Sequence, residues 1–143
     1  MAEPTTLVIV PALIMGTIIG LIELFFVHSD EQSMGILWLT HGLHAVPFAI
    51  IFVFINMNVE WAAGLLGFKL TQSIYVEAAV RIVIGLLAMV KVASAAALVR
   101  GSMIGEKMIH SLMIGVLVAV SPYLAPFIIT PLCKAVKIPY CGV

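Results

Sequence analysis

Charge is scarce in this sequence. Seven Lys and Arg and seven Asp and Glu make up only 10% of the 143 residues, where a soluble domain carries about 25%. No basic field exists to attract phosphates, so nucleic acid is not a partner. Cysteine is nearly absent too. The two present, Cys133 and Cys141, form no C-x-x-C pair, so a four-helix thiol oxidoreductase lacks its redox dithiol. No glycine-rich phosphate loop and no nucleophile constellation can be found. There is no internal repeat either, which leaves an inverted-repeat transporter without its basis.

What the chain has in abundance is apolar surface. Hydrophobic residues account for 63% and the mean hydropathy is +1.22. A soluble fold this small leaves much of its surface wet and cannot hide so much of it. Lipid is therefore the expected solvent, which excludes a secreted domain and a disordered chain.

A transmembrane helix needs about 20 mostly apolar residues, and four such runs occur, at about 7–27, 35–55, 75–99 and 108–129. The expected fold is an all-α integral membrane bundle of four spans, two antiparallel hairpins with short loops, forming one domain over 1–143. The first run lacks a basic flank and a small-x-small cleavage site, so it reads as a retained anchor. In the middle connection, 59–68 suits the interface, with Trp61 and Tyr75 at headgroup depth and Trp38 marking the opposite side. Asn56 and Asn58 are expected to cap the second span. Lys69, Lys134 and Lys137 stand on one face against Arg100 and Lys107 on the other. That balance favours cytoplasmic termini in a multi-pass cell-membrane protein. Cys133 and Cys141 would be reduced thiols there, or would close a small disulfide loop outside.

Helices in lipid associate through small residues and buried polar contacts. Ala12, Gly16 and Gly20 form such a stripe on the first span. Gly85 and Ala88 on the third, and Gly115 and Ala119 on the fourth, offer similar faces. Three prolines interrupt spans. Pro47 frees the carbonyl of Leu43, Pro122 that of Val118 and Pro126 that of Pro122, each a site for a kink. In lipid a freed carbonyl needs a neighbour.

Charged residues within spans are costly and mark candidate sites. Glu23 shares a face with Gly16 and Gly20. His41 and His44 return at matching depth on the second span. Lys91 lies about nine residues from the loop at Arg100, or about 13 Å along the helix. With His110 these residues define an expected polar cluster in one leaflet. Glu77 and Arg81 are spaced for an intrahelical ion pair, and Arg81 and Lys91 are long enough to snorkel. His-x-x-His is a weak metal pair, and His28, Asp30 and Glu31 add donors beside it.

The function expected from these features is that of a non-catalytic accessory subunit or homo-oligomer. It would pack through small-residue faces, its partners being the bilayer, itself or other membrane subunits. A proton, metal-ion or small-solute channel built on Glu23, His41, His44 and Lys91 is the alternative. A haem or copper redox subunit, with His41 or His44 together with His110 as ligands, is a third reading. No cofactor is required by the sequence.

Overall fold

A computed structural model describes residues 7–31, 37–70, 73–100 and 106–136, without the side chains of 27, 30, 31, 37–43, 95–100, 106, 107 and 136. These residues form five helices: α1 (Ile9–Glu31), α2 (Leu37–Met57), α3 (Val59–Leu65), α4 (Ile74–Arg100) and α5 (Glu106–Val136). No strand occurs among the described residues. α1 runs on through His28–Glu31, which the sequence reading assigned to a loop. Nothing between 21 and 31 breaks a helix, and His28 in the last turn complements the helix dipole. α2 continues through Pro47, and α5 through Pro122, Pro126 and Pro131.

Two segments are long and apolar enough to cross a membrane, Ile9–Phe26 with mean hydropathy 2.3 and Met108–Ala135 with mean hydropathy 2.2. A third exists if α2 and α3 count as one span broken by a 90° bend. The four-span expectation is thus met in part. α4 has 27 residues, enough to span, but it carries Glu77, Arg81 and Lys91. The outward faces are as oily as the core. Leu13, Leu21 and Phe25 on α1, Leu86 and Val90 on α4, and Leu112 and Phe127 on α5 are all exposed. A helix apolar all round is stable only when covered by protein or lipid.

α1 packs mainly on α2, and α4 mainly on α5. Glycine allows both approaches. A Cβ on Gly16 would stand 2.5 Å from the Ile50 Cα, and one on Gly20 2.6 Å from the Val46 Cα. Moving four residues up α1 moves four residues down α2, so the pair is antiparallel. Gly85 and Gly115 form the second crossing. A Cβ on either would come within 2.7 Å of the other's carbonyl oxygen. The hairpins meet through α1–α5, α2–α5 and α2–α4, around Met15, Ile19, Val53, Ile84, Ala88, Ile114 and Val118. Ala12 is also fully buried.

α3 ends in a Schellman turn. Phe68 N–H reaches Ala63 O at 2.9 Å and Gly67 N–H reaches Gly64 O at 3.1 Å. The turn needs a residue of positive φ at Gly67, which has φ 77°. Leu65, Leu66 and Phe68 at this corner are exposed.

Bulk at the two crossings is expected to push helices apart. Gly16→Leu, Gly20→Leu and Gly115→Leu should each destabilise by about 1–3 kcal/mol or more. Leu13→Ala, on an outward face, should have a much smaller effect. Unfolding midpoints in detergent micelles measure this, and equal midpoints for all four variants would refute the packing argument.

Candidate functional site

Polar side chains gather where α2 gives way to α3. Pro122 has no N–H, so the carbonyl of Val118 one turn earlier lacks its backbone donor. Asn56, fully buried at the end of α2, supplies one. Its Nδ2 donates to Val118 O at 2.6 Å and to Ala119 O at 3.1 Å. Ser121 Oγ donates to the same Val118 carbonyl at 2.8 Å. The α5 backbone defect is thus mended by a side chain from α2, which fastens the two hairpins together. Asn56 Oδ1 is buried and accepts no hydrogen bond.

Arg81 completes the junction from α4. It is only 9% exposed. Its Nε donates to Glu77 Oε1 at 3.1 Å, with Nη2 donating to the same oxygen. Its Nη1 donates to the backbone carbonyl of Asn56. The guanidinium carbon lies 5.7 Å from the centre of the Tyr123 ring, a cation–π distance. Arg81 therefore does not snorkel, because partners from three helices hold it inside.

Asn58 ties down the chain ahead of α1. Val8 N–H donates to its Oδ1 at 2.7 Å, and its Nδ2 donates to Val8 O at 3.3 Å and to Phe54 O at 2.9 Å. The last bond caps a terminal carbonyl of α2, as the sequence reading expected of Asn58. Asn56 does not cap α2, since the proline-freed carbonyl on α5 takes its donor. The Trp61 indole packs edge-on to Phe54 at 5.6 Å and 77°. A cavity of about 280 Å³ opens here between Val8, Asn58, Glu60, Trp61, Glu77 and Arg81.

The residues expected to form a polar cluster around Glu23 are arranged differently. Glu23 is 5% exposed on α1. It and Lys91 feel each other's charge, yet no close ion pair joins them among the described residues. The Lys91 Nζ instead stands 3.8 Å from the centre of the Phe48 ring. The His110 ring lies parallel to Phe26, 4.3 Å away and tilted by 2°. His44 is exposed, as is His28. The side chains of His41, Asp30 and Glu31 lie outside the described residues. No three His, Cys, Asp or Glu come together as a metal group among the described residues. Pro47 and Pro126 are exposed, and Ala119 faces the Gly85–Gly115 crossing.

The Asn56 junction was the part the sequence reading missed. Its signal was present, because an amide within an apolar run and a carbonyl freed by proline are complementary needs in lipid. Asn56→Leu should cost about 1–3 kcal/mol, the range for leaving a buried acceptor short of a donor. Pro122→Ala restores an N–H to Val118, so it should recover part of that loss. A double-mutant cycle of unfolding in micelles checks the coupling, and strictly additive effects would refute the junction.

The chain matches no family model, no curated protein and no solved structure.

Proposed function

We propose that the chain is a multi-pass membrane protein of four spans. It serves as a non-catalytic accessory subunit or homo-oligomer, working by assembly in the bilayer. The observation that carries this reading is what the junction's buried polar side chains do. Asn56, Asn58 and Arg81 each bond to the backbone of another segment, so their chemistry is structural. α4 would be the fourth span, its charges sheltered by Asn56, Tyr123 and Phe48. Association is supported by an apolar groove of about 220 Å³ on the outer side of the glycine crossing, lined by Ile82, Met89, Leu112, Val116 and Val120. The small-residue stripes themselves face inward.

Glu23 supports a second reading, a proton or cation pathway. A buried carboxylate facing Lys91 without a close ion pair keeps acceptor capacity for an ion. Under the assembly reading, protein purified in a mild detergent should run as a complex heavier than one 15.3 kDa chain. Vesicles containing it should show no flux above empty vesicles, with or without Glu23→Gln. A monomer whose vesicles conduct, with conductance abolished by Glu23→Gln while folding persists, would shift the conclusion to the pathway. A Soret or copper charge-transfer band in the purified protein would shift it to the redox reading.

Cys133 is disulfide-bonded. Such bonds persist in oxidising compartments. The bond therefore supports an extracytoplasmic end for α5, against the lysine count, whose margin is a single residue. A membrane-impermeant maleimide applied to intact cells should label Cys133 only after reduction with an impermeant phosphine. Labelling without reductant, or only after lysis, would restore the cytoplasmic orientation.

A further inference from the structure

We infer that the cavity at the α2–α3 bend is a binding site for a small organic ammonium group, either free in solution or carried on a lipid headgroup. The argument starts from hydrogen-bonding capacity. The side-chain donors that Asn58 and Arg81 bring to the wall are engaged. Both N–H groups of the Asn58 amide are committed, to Val8 and to Phe54. Arg81 donates from all three of its nitrogens, to Glu77 and to the Asn56 carbonyl. What remains is acceptor capacity. Glu77 receives both arginine contacts on Oε1, and its side chain, 40% exposed, lines the cavity. Glu60 projects from α3 as a second carboxylate and is exposed.

Two carboxylates against one neutralised guanidinium give the wall an excess of negative charge. The Trp61 indole beside them is the side chain best suited to a cation at its face. A cavity of about 280 Å³ is too roomy for a bare metal ion with two carboxylates. It lies just below the span for drug-sized ligands, about 300–1,000 Å³. A methylated or primary ammonium head fits this combination of size, charge and aromatic wall. The corner is flanked by exposed Leu65, Leu66 and Phe68, a surface suited to lipid, so a headgroup and a soluble amine share the same access. This site is independent of whether the chain acts by assembly or conducts ions.

Trp38→Phe leaves Trp61 as the only tryptophan, a reporter inside the site. In a maltoside detergent, choline chloride should change its emission saturably, while sodium chloride at the same concentration should not. Glu60→Gln should weaken the choline response by about tenfold, equivalent to about 1.4 kcal/mol. Glu77→Gln serves as a second variant, read only if circular dichroism shows it folded. Phosphatidylcholine and phosphatidylglycerol vesicles separate the sources. A saturable choline response in detergent identifies a free ligand. A Glu60-dependent emission difference between the two lipids, with no response to free choline, identifies a headgroup. Neither signal in folded protein, or signals unchanged by Glu60→Gln, would overturn the proposal.

Discussion

The bond from the Asn56 amide to the Val118 carbonyl is the contact on which the rest of the structure depends. A helix running through proline leaves a carbonyl without its donor, and lipid offers no water to replace it. Ser121 on α5 itself supplies one donor and Asn56 brings a second from α2, a bond that helps fix how α2 lies against α5. The same residue's backbone carbonyl then holds Arg81 of α4. One asparagine thus links three helices, although the apolar contacts around it have no direction of their own. Its remaining oxygen is left unpaired, a local cost accepted where the other half of the amide is in such demand.

Close approach does the other half of the work. Gly16 and Gly20 bring α2 against the α1 backbone, and Gly85 and Gly115 do the same for α4 and α5. In lipid this approach replaces the hydrophobic effect as the source of attraction, because apolar side chains are equally content facing acyl tails. Packing at the glycines settles which helices pair. Bonds at Asn56, Asn58 and Arg81 settle how the pairs meet and where α1 begins.

The two ends of the bundle handle charge by different means. At the α2–α3 corner, Arg81 is neutralised by Glu77 and by a helix-end carbonyl, a pairing that geometry makes specific. At the other end, Lys91 rests on the face of Phe48 and His110 lies flat on Phe26. These aromatic contacts lower the cost of a polar group inside an apolar bundle.

The sequence by itself determined the solvent and the class of structure. A chain so apolar and so poor in charge makes long helices, and the carbonyls freed by Pro47, Pro122 and Pro126 could be named from position alone, whereas Pro131 falls within α5 beyond the expected end of the span. The small-residue stripes and the Glu77–Arg81 spacing were legible for the same reason, since helical periodicity is local. Three things were decided only in the tertiary structure. Asn56 serves α5 more than its own helix, Arg81 turns inward, and the small stripes face inward within one chain. Each depends on which helix stands opposite, and an apolar run on one span carries no mark of the neighbour that will complete it.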